Sequence, residues 1–214
     1  MPATPPPRKR RKEARPAELL AAALTQFVDK GYAATRLEDV ARQAGVSKGT
    51  LYLYFDNKEA LFKAVVQDGI VPVLAEGETI AAGHAGDSFT LLERLLDTWW
   101  SRIGNTAYAG IPKLIIAEAG NFPEIAAFYY EQVISRGRAL VIAALRRGIE
   151  HGEFRPVDVE TTTDVILAPI LMLLVWRHSP GGCRMADGDP RLYLRTHLDL
   201  VCRGLTRPPH PVRV

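Results

Sequence analysis

The chain has 214 residues, 47% of them hydrophobic, enough to bury the core of one large domain or two small ones. Two cysteines, Cys183 and Cys202, argue against a disulfide framework and for a reducing, cytoplasmic setting. No signal peptide is expected, because MPATPPPRKRRKE has no apolar run behind it. The longest apolar run, Val165 to Trp176, is too short to span a bilayer, so no membrane partner is expected.

The net charge of +3 is unevenly placed. Residues 1–15 set Arg8, Lys9, Arg10, Arg11, Lys12 and Arg15 against Glu13 alone, a charge of +5, which leaves −2 for the remainder. A basic arm on a slightly acidic body fits a polyanionic partner; the plainer alternative is a solubilising tail. Pro5-Pro6-Pro7 predicts an extended, disordered arm over residues 1–12.

Pro16 fits the first turn of a helix, and Leu20, Ala23, Leu24, Phe27 and Val28 continue it at helical spacing to Gly31. Thr35 with Glu38 reads as a capping box for a second helix carrying Leu37, Val40, Ala41 and Ala44. Gly45 ends that helix after about two turns, and Ser47 can cap a third beginning at Lys48. Asp56 with Glu59 reads as another capping box, opening a fourth helix through Leu61, Phe62, Val65 and Val66.

Two short helices joined by a tight glycine turn form a helix-turn-helix, here over residues 36–55. In such a unit the second helix enters the DNA major groove with its N-terminal residues toward bases and phosphates. Val46, Leu51 and Phe55 should face the small core. Ser47, Lys48, Gly49, Thr50, Tyr52 and Tyr54 are then left for DNA, with tyrosine hydroxyls donating to phosphate. Tyr52 and Tyr54 could instead be core rings, although two residues apart they cannot both face inward. Lys58 at a helix N-terminus opposes the helix dipole, and a bound phosphate would remove the conflict.

The stretch TRLEDVARQAGVSKGTLYLYFDNKEAL, residues 35–61, resembles the DNA-binding region of the tetracycline-repressor (TetR) family of bacterial regulators. The likeness runs without a gap from about Pro16 to Val66. It implies an all-α homodimer of about nine helices per chain. A three-helix DNA-binding domain (13–73) would join a larger ligand-binding and dimerisation domain (74–207), followed by a tail (208–214). The implied partners are double-stranded operator DNA and a small apolar or aromatic effector. By the same resemblance, Thr35 and Arg36 open the phosphate-contacting helix and Lys48, Gly49 and Thr50 read bases. Tyr52 and Lys58 hold phosphate positions. Leu53 stands where many members have tyrosine and Tyr54 where many have histidine, which leaves the DNA sequence preference open. Asn121-Phe122-Pro123-Glu124 to Tyr130 resembles the AefR-like C-terminal type.

Beyond Gln67, Gly69 and Pro72 predict a kink in the helix that would connect the two domains. Asp87 caps a fifth helix from Ser88 to about Gly104, a sixth runs near Ile111 to Glu118, and Pro123 starts a long seventh ending at His151-Gly152. Asp158 opens an eighth through Trp176, with Pro169 inside it; a flexible loop, Ser179 to Asp189, precedes a ninth from Pro190 to about Gly204. Trp99, Trp100, Tyr108, Phe128, Tyr129, Met172 and Trp176 are candidate pocket residues, each with ordinary core as its alternative. The Val165–Trp176 run, apolar almost all round, and Leu192, Leu198, Leu200 and Val201 make a candidate dimer interface.

Catalysis has little support. His84, His151, His178, His197 and His210 are scattered, and no H-E-x-x-H, C-x-x-C, G-x-S-x-G or phosphate-cradling loop is present. Cys183 and Cys202 each follow a histidine by five residues, outside the spacing of compact metal pairs. No enzyme, metal site or cofactor is expected. A ligand-released repressor is the first reading; a helical small-molecule-binding or architectural DNA-binding protein without inducer control is the second, and a compact cavity would separate them.

Overall fold

A computed structural model describes residues 9–179 and 188–206. It is all-helical, with no strand among the described residues. The elements are α1 (Lys9–Lys30), α2 (Leu37–Gln43), α3 (Lys48–Tyr52), α4 (Lys58–Gly69), α5 (Val71–Gly83), α6 (Ser88–Trp99), α7 (Ile111–Glu118), α8 (Pro123–Tyr129), α9 (Ser135–Glu150), α10 (Val159–Arg177) and α11 (Pro190–Thr206). Only Ile70 separates α4 from α5, and a π turn, Tyr130–Ile134, joins α8 to α9, so the described residues form nine helical rods.

α1 starts earlier than predicted. Lys9 to Lys12 belong to a helix, not to an extended arm, and Pro16 lies inside it rather than in its first turn. Lys, Arg, Glu and Ala all favour helix, so residues 9–15 can propagate it despite the bond lost at Pro16.

The first three helices and α4 enclose a small core. Leu19, Ala23, Phe27, Val40, Leu51, Leu61, Phe62 and Val65 are buried in one cluster, which continues past Ile70 to Ile111, Leu114, Ile115 and Ile125 of the second domain. Phe27, Tyr32 and Phe62 meet with ring centroids 5.5–5.7 Å apart, one pair stacked and two edge-to-face. Each fully buried large apolar side chain contributes about 1.5–3 kcal/mol. The α2–α3 turn follows from Gly45, whose φ of +66° is the left-handed conformation. Val46 N–H then reaches back to the Ala41 carbonyl at 2.9 Å, and Gly45 N–H to Arg42 at 3.1 Å, closing a Schellman turn.

The kink expected near Gly69 and Pro72 is present as the α4–α5 break. Pro72 has no N–H to offer the preceding turn, and α5 restarts with it in the first turn. Asp87 and Asp158 cap α6 and α10 as predicted, accepting from Thr90 N–H at 2.9 Å and Thr161 N–H at 2.8 Å. α6 continues through a π turn, Trp100–Gly104. A second core joins Leu91, Leu92 and Leu95 of α6 to Val141 and Leu145 of α9, Ile166 of α10 and Leu205 of α11.

α10 is longer than its apolar run. Its 19 residues, with mean hydropathy 1.6 over the best window, are long and apolar enough to cross a membrane by length and composition. It also carries Glu160, Asp164 and Arg177, and buries Ile166, Ile170, Leu173 and Leu174 within the domain.

Candidate nucleic-acid interface and ligand cavity

Ser47 caps α3 as predicted. Its Oγ accepts from Thr50 N–H at 3.1 Å and lies 2.8 Å from Thr50 Oγ1. Ser47, Lys48 and Gly49 are exposed at the start of the helix, with Thr50 half-buried beside them and Arg36 exposed on the α2 side. A Cβ at Gly49 would meet nothing closer than Ser47 Oγ at 3.9 Å, so the backbone there is open to close approach. Tyr52 and Leu53 are 42% and 83% exposed, and Leu51 is fully buried. Small polar groups, one lysine and a tyrosine hydroxyl thus share one face over a packed underside.

Lys48 carries a partner that the sequence did not suggest. Its ammonium pairs with the Glu38 carboxylate of α2 and lies 5.7 Å from the Tyr52 ring centroid. Asp39 similarly pairs with Lys30 at 3.3 Å and with Arg42. The hydrogen bond from Lys48 holds the Glu38 carboxyl below its usual range.

Three expected site residues are placed differently. Thr35 is 2% exposed, and its hydroxyl donates to the Gly31 carbonyl at 2.7 Å and the Gln26 carbonyl at 3.0 Å. Its side chain therefore closes the α1–α2 turn, not a capping box; Arg36 occupies the N-cap of α2 without a side-chain bond. Tyr54 is half-buried against the three-helix core, while Tyr52 points outward. Lys58 donates to the carbonyls of Tyr32 at 2.7 Å and Ala33 at 3.1 Å, with ring centroids of Tyr32 and Phe122 at 4.5 and 5.7 Å. Two carbonyls and two aromatic faces supply the negative potential that a phosphate was expected to supply. Burial lowers the Lys58 pKa, and the nearby Glu118 charge offsets part of that. The second predicted capping box fails by one residue, since Asn57 caps α4 by accepting from Ala60 N–H at 2.8 Å. Lys9, Arg10 and Arg11 lie on α1; Arg8, Cys183, His210 and the tail over 208–214 fall outside the described residues.

The second domain holds an apolar cavity of about 200 Å³. Leu74 of α5, Trp99 of α6, Ile115 of α7, Tyr129 of α8 and Ile170 of α10 are among its walls, and Arg138 is its charged lining residue. A smaller cavity of about 90 Å³ toward Leu92 and Leu95 shares Leu74, Trp99, Gly137, Leu167 and Ile170 with it. Arg138 is held by Glu160 at 3.3 Å and by Asp164, both on α10. Burial pushes the Tyr129 phenol far above its usual pKa, so it stays neutral.

Of the seven pocket candidates, Trp99 and Tyr129 line this space. Trp100 is buried against Leu173 and Leu174, with the Arg177 guanidinium 5.5 Å from its ring. Tyr108 packs on Gly69, and Phe128 lies under the Lys63 ammonium at 5.4 Å. Met172 is 43% exposed, and Trp176 is half-buried away from the cavity. The walls are mostly Leu and Ile, with Gly137 contributing space by having no side chain. No cluster of three or more His, Cys, Asp or Glu suited to a metal occurs among the described residues.

Residues 19–65 match the family model described as "Bacterial regulatory proteins, tetR family", and residues 85–188 match "Tetracyclin repressor-like, C-terminal domain". The chain is 29% identical over 213 residues to the HTH-type transcriptional repressor KstR2 of Rhodococcus jostii, covering 96% of this chain and 98% of that one. It is 32% identical over 165 residues to the uncharacterized HTH-type transcriptional regulator YdeS of Bacillus subtilis, covering 73% and 76%. Its fold is similar to that of the transcriptional regulator FadR from Bacillus subtilis, solved in complex with stearoyl-CoA. The TM-score is 0.72 at 21% identity, with 88% and 98% covered. A helix-turn-helix beneath a larger helical domain defines a one-component DNA-binding regulator. The chain belongs to the TetR family of bacterial transcriptional regulators.

Proposed function

We propose that the protein is a ligand-released repressor that binds a palindromic operator as a homodimer, with an elongated apolar molecule as effector. The observation that carries this reading is the apolar cavity walled by α5 to α10, a space that DNA binding alone does not require. It favours an inducer-controlled regulator over an architectural DNA-binding protein. The two adjoining cavities, which share Leu74, Trp99 and Ile170 as walls, suit a long chain or fused-ring skeleton better than a compact polar metabolite. FadR from Bacillus subtilis was solved with stearoyl-CoA; at 21% identity that likeness shows the fold alone, so stearoyl-CoA serves here as a probe.

DNA would be read by Arg36, Ser47, Lys48, Gly49, Thr50, Tyr52 and Leu53, with Lys9, Arg10 and Arg11 adding phosphate neutralisation. The hinge at Ile70 would separate the reading domain, 13–73, from the ligand domain, 74–207. Val165, Leu171 and Met172 of α10 and Leu192 and Leu200 of α11 are 41–65% exposed. We assign this face to the second copy, since a stable interface needs about 800 Å² per partner and a largely apolar centre. In a dimer the two α3 helices would address half-sites about 34–36 Å apart.

The test fills the cavity. Gly137→Leu places a side chain where a Cβ meets only Leu74 Cδ2 at 3.8 Å. This variant should retain affinity for DNA selected from a random pool and lose the fluorescence response of Trp99 to stearoyl-CoA. Unchanged stearoyl-CoA binding would place the ligand elsewhere.

A further inference from the structure

α7 touches both halves of the molecule. Pro112, Ile115 and Ile116 line the cavity. One turn later the Glu118 carboxylate accepts the Ala33 N–H at 3.0 Å, in the α1–α2 turn of the DNA-binding unit. Gly31, at φ +84°, begins this turn, and a Cβ there would stand 3.1 Å from Glu118 Oε1. Phe122, four residues past Glu118, packs edge-to-face on Tyr32 at 4.7 Å. Lys58, the first residue of α4, donates to the Tyr32 and Ala33 carbonyls from the other side. The turn over residues 31–33 is therefore held between the end of α7 and the start of α4. Thr35 ties the same turn to α1, directly ahead of α2.

We propose that Glu118 is a positioning residue for the regulator's response: it latches the α1–α2 turn to α7, so that movement of α7 by a cavity ligand turns the helix-turn-helix unit. This rests on the ligand-released reading above and adds a route separate from the α4–α5 hinge. The latch can transmit because an eight-residue helix is stiff over its length, and Ile115 and Glu118 lie on successive turns. One charge-assisted bond and the Phe122–Tyr32 contact join the turn to the end of α7, beside its bonds to Lys58 and Thr35 and the buried packing of Tyr32, and Glu118 can be altered without touching either the cavity or α3. A ligand that binds the two arrangements of α7 with different affinity would shift the turn between them.

The test uses the full chain, DNA selected from a random pool and stearoyl-CoA as the probe. DNA affinity is measured with and without saturating probe, and the ratio is the coupling factor. In Glu118→Ala that factor should fall by about two- to thirty-fold, the range for residues that carry coupling without touching either ligand. Probe affinity in the absence of DNA should stay within about two-fold of wild type. Glu118→Gln keeps an acceptor for Ala33 N–H and should retain most of the coupling, which a purely structural defect would not predict. If wild type releases DNA and Glu118→Ala releases it by the same factor, the latch is refuted and the ligand-release reading stands. If wild type itself keeps its DNA at saturation, the ligand-release reading fails and takes the latch with it.

Discussion

Gly69→Ala tests the hinge. Gly69 ends α4, one residue before the break at Ile70. A Cβ placed there would lie inside van der Waals contact with Cζ, Cε1 and Oη of Tyr108, from the segment leading into α7. Two effects oppose each other. Alanine is the better helix former by up to about 1 kcal/mol, less at a helix end. Overpacking a half-buried ring costs about 1–3 kcal/mol unless the ring moves aside. The clash involves the ring body as well as the flexible hydroxyl end, so the second effect should win. The net expectation is about 1–2 kcal/mol of destabilisation, a fall in Tm of about 2–8 °C for a chain of this size. Chemical denaturation of Gly69→Ala, Tyr108→Ala and the double variant measures it as a cycle. In the double variant the ring is absent, and the alanine should become neutral or stabilising, giving a coupling of about 1–3 kcal/mol. If Gly69→Ala alone is stabilising, the ring is free to move and the account of Tyr108 as a fixed contact across the hinge is wrong.

Thr35→Val should destabilise by about 1–3 kcal/mol, because it leaves the Gly31 and Gln26 carbonyls without their donor. DNA affinity at fixed folded fraction should not change; a loss there would return Thr35 to the interface. Glu38→Gln frees Lys48 from its carboxylate and removes a negative charge from the DNA face. Electrophoretic mobility assays should show tighter binding to random DNA by about two- to five-fold, with less gain for selected DNA. Equal gains on both would mean that Glu38 acts only as surface charge. Stability should also depend on acid. Hydrogen bonds from Lys48, Lys30 and Thr90 lower the pKa values of Glu38, Asp39 and Asp87, respectively. Depressed carboxylates contribute stability that is fully present above their unfolded values and lost as pH falls through the folded ones. Thermal melts should therefore be flat with respect to these groups above about pH 5 and decline below about pH 4. An unchanged midpoint across that window would contradict the pairings.

Local signals served well wherever the partner was near in sequence. Ser47, Asp87 and Asp158 each cap a helix whose acceptor and donor lie three residues apart, and all three are as expected. Gly45 and Pro72 likewise act on their own turns. Thr35 misled because its hydroxyl donates to Gly31 and to Gln26, nine residues earlier, which turns the buried side chain toward α1 and leaves Arg36 at the N-cap of α2. At the start of α4 the pattern pointed to Asp56 with Glu59, but Asn57, one residue on, takes the cap by accepting from Ala60 N–H. Lys58 looked like a phosphate ligand because its counter-charge comes from carbonyls and rings that only the fold assembles. The cavity was hidden for another reason. Aromatic residues were the visible signal, but the space arises from leucines, isoleucines and a glycine on separate helices. Trp100 and Phe128 went instead to core and surface packing. The Glu118 contact joins residues 85 apart and had no sequence signature.

Ligand and DNA, bound at separate sites of a ligand-released repressor, should weaken each other reciprocally. Ligand affinity is read from Trp99 fluorescence, using stearoyl-CoA with and without saturating selected DNA; DNA affinity is read with and without saturating stearoyl-CoA. Linkage requires the two ratios to be equal. Each partner should weaken the other by the same factor, about 5- to 150-fold. If stearoyl-CoA saturates the Trp99 signal while DNA affinity stays constant, the cavity is not an inducer site and the ligand-released reading is contradicted.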